Sequence, residues 1–279
     1  MAVIAMTREM GSLGKEVAEQ VARQLGLRPV YDEILESLVS RMGYARERVA
    51  RLIEGRASLL ERWRSRSSAL NLHARADLLE AALQGNVLIR GWGAPYLLRS
   101  IRHIPRIRIC APLPYRVRRM RELLDFSDDG RVLGEIARSD HAFGSSLRMS
   151  KRPNSAEPWH YDVIMNTAQS PVEQCVEAVV KAAGEAQFQE TELSRATLAN
   201  LALRTRVLAT LKGAPSTAAA RIDAVATQGS VMLLGMVGKA EDVRAIGEAV
   251  AAIPGVTTLH NELRPIYEGT RSWRSSASI

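Results

Sequence analysis

Aromatic residues make up only 5% of this 279-residue chain, and cysteine occurs twice. No stretch reaches the ~18–20 consecutive apolar residues that a membrane span needs. With so few rings, the core must rest on Leu, Val, Ile, Ala and Met. The want of long apolar runs removes membrane-spanning helices from the expected architecture. Cys110 and Cys175 lie far apart in sequence, each in apolar surroundings. They read either as two buried free thiols or as one disulfide, and the first reading goes with a reducing compartment. The opening MAVIAMTREMG carries a short apolar run in place of a charged leader and the longer apolar stretch of a signal peptide. A cytoplasmic protein is expected. His73, His103, His141, His160 and His260 show no metal-ligand spacing, and Ser145-Ser146 lacks the glycine-flanked setting of a nucleophile.

What the chain does have is an ordinary globular balance, 46% hydrophobic and 24% charged, at a length that suits one large domain or two ordinary ones. The net charge of +8 is carried almost wholly by arginine. Such an excess suits phosphate-bearing ligands, nucleic acid or an anionic membrane surface. There is no block of five consecutive like charges and no aromatic platform among the arginines. The charge by itself therefore does not choose among these partners, and nucleic acid is weakly supported.

Hydrophobic spacing orders the first two-thirds of the chain as alternating strands and helices. Residues 2–6 read as a buried strand. From Gly14, the positions Val17, Ala18, Val21, Ala22 and Leu25 recur at helical spacing, with Gly26 where a C-cap belongs. A brief extended segment over 27–31 follows, then a largely helical, Arg- and Glu-rich stretch over 32–84. Further strands are expected over 86–90, 104–111 and 161–165, and helices over 113–125 and 171–183. The polar stretch from about 126 to 158, with Gly130, Gly134 and Gly144, reads as a mobile segment. Strands alternating with helices predict a parallel sheet flanked by helices, an α/β fold. Composition changes near residue 187. The remainder predicts a helix (201–211), two strands (219–227 and 230–237) around a Gln228-Gly229 turn, a helix (239–253) and a last strand (256–263). That is a small α+β unit of order αββαβ. The expected division is 1–186, a polar linker over 187–199, a second domain over 200–267 and a disordered tail over 268–279.

The chemistry is concentrated in IAMTREMGSLGKEVAEQVARQLG. A glycine loop between a strand and a helix N-terminus turns several unpaired backbone N–H groups toward one point, where the helix dipole adds partial positive charge. Lys15, directly after Gly14, can then reach the outer phosphates of a nucleotide. Set in register on Gly14-Lys15, the pattern G-x-x-x-x-G-K-[ST] finds Glu9 at its first glycine and Glu16 at its hydroxyl position. Losing the hydroxyl removes the usual direct magnesium ligand. A carboxylate beside a polyphosphate costs energy unless a cation or an arginine intervenes. On spacing alone the loop is either a phosphate site or a glycine turn that starts a helix.

Further residues extend the pattern. TREMGSLGKE resembles S-R-E-Y-G-S-G-G-[RK]-E, the loop of the cytidylate-kinase-like family of P-loop nucleoside monophosphate kinases. VYDEIL (30–35) resembles that family's F-Y-D-K-E-I, and IRGWGAPYLL (89–98) its strand ending in G-R-C-A-D-Y. ICAPLPYRVRRM (109–120) is similar to its strand and R-x-x-R helix, and YDVIMNT (161–167) to its last strand. The resemblance covers most of the first 185 residues and implies a P-loop NTPase fold acting with ATP and Mg²⁺. It implies that Gly11, Ser12, Gly14 and Lys15 hold the donor phosphates and that Asp32 borders the acceptor nucleotide. Arg116 and Arg119 would face the phosphates, with Arg138 and Asp140 in a lid. This sequence departs from the family at Trp92, Pro95 and Phe143, which stand where charged residues are expected. The segment from Ala220 to Leu263 resembles a BON domain through Gly229, Val231, Leu233, Gly235, Gly255, Val256 and Asn261, which implies binding of phospholipid or another ligand without catalysis. Three functions follow as expectations: an ATP-dependent nucleoside monophosphate kinase with a BON tether, a nucleotide-binding regulator weak in transfer, and a membrane-surface or RNA-associated scaffold.

Overall fold

A computed structural model describes residues 2–30, 45, 67–91, 93–124, 128–148, 157–218 and 220–267. The expectations placed on Asp32, on Trp92, on the rest of the stretch between 31 and 66, and on the tail from 268 lie outside the described residues. The chain divides into two compact units, Met1–Leu198 and Ala199–Ile279.

In the first unit, five strands form one parallel sheet: β1 (Val3–Arg8), β2 (Arg28–Val30), β3 (Val87–Arg90), β4 (Arg106–Cys110) and β5 (Val163–Asn166). Their spatial order is β2-β3-β1-β4-β5. β1 is central, and its run Val3–Thr7 is buried throughout, as a strand covered on both faces requires. Helix α1 (Gly14–Gln24) follows it and buries Val17, Ala18, Val21 and Ala22. Gly26, at φ 64°, closes that helix, and the Leu27 amide donates back to the Ala22 carbonyl at 2.8 Å.

The later helices are α2 (Ser67–Gln84), the single turn α3 (Ala94–Leu97), α4 (Leu113–Leu124), α5 (Asp129–Arg148) and α6 (Val172–Ala183). α6 buries Cys175, Val176 and Val179 in the same core as α1. Both cysteines are free thiols, Cys175 buried and Cys110 half-buried. Burial raises the pKa of each.

Within the stretch 126–158, read as a mobile segment, residues Asp129–Arg148 form the helix α5. Val132 and Ile136, one helical turn apart, are buried with Met120 of α4 and dock the helix there. Three glycines obscured an apolar stripe only a few residues long.

The second unit contains α7 (Glu192–Gly213, which begins in the first unit), β6 (Arg221–Thr227), β7 (Ser230–Lys239), α8 (Ala240–Ala251) and β8 (Thr258–Tyr267). The order αββαβ is as expected. β6 pairs antiparallel with β7 through a two-residue turn in which Gln228 and Gly229 both have positive φ, 48° and 86°. β8 returns parallel to β7. Leu203 and Val207 of α7 and Ile246 and Val250 of α8 bury one face of this sheet over Ala224, Val231, Leu233 and Leu263.

Candidate functional site

The sheet order places β1 at the centre beside β4, and the chain leaves β1 toward β2 on one side and β4 toward β5 on the other. In an open α/β sheet the crevice beyond the strand C-termini at such a point is where ligands bind. The loop Glu9–Leu13 occupies that position. Gly11 has φ 80°, and a Cβ there would stand 2.8 Å from the Arg116 carbonyl oxygen. A Cβ on Gly14 would stand 2.5 Å from the Arg8 Cβ, so both positions require glycine on space alone. Leu13, the α1 N-cap residue, has φ 56° and ψ 15°, a left-handed conformation that costs a branched side chain roughly 1–2 kcal/mol. The resembled loop has glycine there. This loop holds a strained residue at the mouth of its helix.

The loop is held from below. The Ser12 hydroxyl donates to the Glu9 carbonyl at 2.8 Å, with the Ile109 carbonyl at 3.2 Å, and Ser12 is buried. Thr167, just beyond β5, donates its hydroxyl to the Ser12 carbonyl at 2.8 Å. The Ser12 side chain therefore ties the loop to β4.

Glu9 does the same on a larger scale. One carboxylate oxygen accepts from Arg108 of β4 at 2.7 Å, and the other accepts from the Ala111 amide at 3.1 Å. Arg116 Nε lies 3.7 Å from the same carboxylate and, among the described residues, is buried without a hydrogen-bond partner. The carboxylate at the first-glycine position is thus answered by two arginines, which removes the electrostatic objection at Glu9 and leaves Glu16 as the carboxylate that faces the cavity.

Above the loop, a cavity of about 260 Å³ is lined by Arg8, Gly11, Leu13, Gly14, Lys15 and Arg119, with Met10, Glu16, Met120 and Leu123 completing the wall. The backbone N–H groups of the first turn of α1 have no helical carbonyl within reach. Lys15 is 61% exposed and makes an i,i+4 pair with Glu19 at 3.7 Å. Such a pair is worth about 0.3–0.5 kcal/mol, less than the ~1.5–3 kcal/mol of a hydrogen bond to a charged group. A phosphate would therefore draw the ammonium away from Glu19.

The expected site residues are distributed unequally. Gly11, Gly14, Lys15 and Arg119 come together at the cavity. Arg116 lies beneath the loop, 6% exposed, donating to both Asp140 oxygens at 3.0 and 2.8 Å and to the Met10 carbonyl at 3.4 Å. Asp140 is thus the anchor of α5 on α4. Arg138 is exposed on α5 and pairs with Glu135, outside the cavity lining. Pro95 is buried at the start of α3. Arg8, Arg108 and Thr167 were not expected, and Glu9 was expected only as an unfavourable neighbour of the phosphate. The Ile–Arg alternation of β4 was the available signal, because it puts Arg106 and Arg108 on the face opposite Ile107 and Ile109. There they meet Asp162, at 2.7 Å, and Glu9.

The sequence description of the cytidylate kinase-like family matches residues 3–169. The chain belongs to the cytidylate kinase-like family. A BON domain matches residues 200–264. Among solved structures, an uncharacterized protein from Eubacterium ventriosum superposes at TM-score 0.52 and 14% identity, over 66% of this chain and 98% of its own. Shikimate kinase from Bacteroides thetaiotaomicron gives 0.41 and 16%, over 65% of this chain and 97% of its own. A sugar kinase from Janibacter gives 0.36 and 18%, over 68% and 99%. The first of these likenesses shows a shared fold and nothing finer. No curated protein matches the chain. This cytidylate kinase-like chain therefore combines a kinase-like P-loop fold with a BON domain. Among its described residues, no helix is long and apolar enough to cross a membrane.

Proposed function

We propose that this cytidylate kinase-like protein is an ATP-dependent nucleoside monophosphate kinase whose donor phosphates bind over Gly11–Lys15. The observation that carries the reading is the single cavity in which the two space-restricted glycines, the N-terminus of α1 and the cations Arg8, Lys15 and Arg119 converge. Phosphoryl transfer asks a protein mainly for positioning and charge neutralisation, and these groups supply both. Lys15 and Arg119 would neutralise the polyphosphate. The first-turn amides of α1 would orient it, while Glu9 and Ser12 keep the loop from collapsing into the space.

The donor set suits ATP better than a bare metal. Among the described residues no three of His, Cys, Asp and Glu are placed to hold an ion, and Glu16 is the one carboxylate on the cavity wall. Mg²⁺ would arrive with the nucleotide, keep phosphate and water ligands, and supply further neutralisation of charge.

The reading is tested by incubating the full chain with ATP, Mg²⁺ and, separately, CMP, dCMP, UMP and AMP, and following diphosphate product. Turnover of at least one acceptor is expected, and its loss in Lys15→Ala. ATP binding without product from any acceptor would favour the second reading, a nucleotide-binding regulator. The buried Pro95, standing where a nucleotide-contacting carboxylate is expected, supports that alternative. In either case the BON unit would add a tether or a ligand site, for phospholipid or a small molecule.

A further inference from the structure

Among the described residues, helices cover one face of the BON sheet. The other carries an apolar band along its central strand: Met232, Leu234 and Met236 are 41%, 40% and 56% exposed, with Val225 and Ile266 beside them at 50% and 59%. Strand alternation puts every one of these on the face away from α7 and α8. The charges on that face lie in rows fixed by the strand register. Arg221, Met236 and Arg264 form one row, and Asp223, Leu234 and Glu262 the next. Two arginines against two carboxylates leave these rows neutral.

We propose that this face docks a second copy of the same chain, sheet against sheet. Consider a two-fold axis in the interface plane, running across the strands and midway between the two rows. It lays β6 over β6 and β8 over β8 in opposite directions. Met236 then meets the second copy's Leu234, Arg264 its Glu262, and Arg221 its Asp223. An axis along the strands would instead lay β6 over β8, setting Arg221 against Arg264 and Asp223 against Glu262, an arrangement that like charges oppose. The charge pattern therefore selects one isologous arrangement. Of the two cross-copy pairs, Arg264 with Glu262 contributes more, because Asp223 already accepts from Arg204 of α7 at 2.7 Å.

An anionic lipid surface fits the same face less well. Polybasic surfaces bind such membranes through a cluster of cations, whereas here Arg221, Arg264 and Arg204 are interleaved with Asp223 and Glu262. The area sets the strength of the contact. Strands of 7, 10 and 10 residues, rising ~3.4 Å per residue and spaced ~4.8 Å apart, present roughly 440 Å². That is below the ~800 Å² per partner of a standard interface, so the dimer should be weak and concentration-dependent.

Sedimentation of the full chain from about 1 to several hundred micromolar tests this. A monomer–dimer shift within that range is expected. Met236→Glu, a change at an exposed position that leaves the core intact, should abolish it, and Glu262→Arg should weaken it at least tenfold. The double variant Glu262→Arg/Arg264→Glu exchanges the charges and should restore dimerisation. Three results would each overturn the proposal: a monomer at the highest concentration, a dimer indifferent to Met236→Glu, or a double variant no better than the single one. Phosphatidylglycerol vesicles run in parallel separate the lipid reading. Vesicle binding that Met236→Glu removes, from a chain that stays monomeric, would assign the face to membrane.

Discussion

At the scale of single residues the most consequential side chain is one the sequence made a liability. Glu9 stands where a phosphate loop has glycine, yet it is a strut between the loop, Arg108 and the Ala111 amide. The Arg108 side chain is 13% exposed, so removing the carboxylate's charge leaves a poorly solvated cation facing a neutral group, while Arg116 keeps its pair with Asp140. Glu9→Gln should lower the stability of the first unit by roughly 2 kcal/mol, read as a shifted denaturant midpoint. Adding Arg108→Met should recover part of the loss, because an unanswered buried charge costs more than a missing pair. No recovery would mean that the Arg108–Glu9 pair is incidental.

His103 is a second residue with a defined consequence. It is buried, its Nδ1 lies 2.8 Å from the Ser194 hydroxyl, and burial pushes its pKa below the ordinary histidine value. The folded protein therefore prefers the neutral ring. Stability from this group is fully present above about pH 6.5 and falls as the pH drops from there toward the lowered folded value, at up to about 1.4 kcal/mol per pH unit. Glu190 behaves separately. Its hydrogen bond from Arg195 lowers its pKa, so its contribution is lost only at a pH below the ordinary carboxylate value. Urea midpoints measured between pH 7.5 and 5.5 should decline in the native chain and flatten in His103→Gln.

At the scale of elements, α1 and α5 show what periodicity can and cannot reveal. The four buried apolar side chains of α1, Val17, Ala18, Val21 and Ala22, span nearly two turns, and the helix was legible from them. α5 offers two buried residues, Val132 and Ile136, among glycines and charges, and its docking depends on Met120 and on the Asp140–Arg116 pair. Both partners lie on another helix, invisible to a local pattern. Ile136→Ala should therefore cost about 2 kcal/mol and loosen α5 in particular. Hydrogen exchange would show this as faster exchange over 129–148 than in α1. Equal acceleration throughout the first unit would mean that α5 is not separately docked.

At the scale of the whole molecule, the division into a parallel α/β unit and an αββαβ unit was legible because each has its own rhythm. Buried strands alternate with amphipathic helices in the first; period-two strands surround a Gln-Gly turn in the second. The spatial order of the strands was not readable from spacing, since parallel neighbours are joined through long crossovers. The same limit explains the site. Gly11, Gly14 and Lys15 are contiguous and could be read, whereas Arg119 reaches the cavity, and Arg108 and Thr167 reach the loop, only once β4, α4 and β5 are in place.

The central claim is that the opening loop binds a polyphosphate, and calorimetric titration of Mg²⁺-ATP into the full chain and into Lys15→Ala tests it most directly. Lys15 makes one exposed pair, so its removal should leave the unfolding midpoint unchanged. Saturable binding by the native chain is expected, weakened at least tenfold in the variant, which corresponds to about 1.4 kcal/mol. No binding by the native chain, or equal affinity in both, would contradict the account.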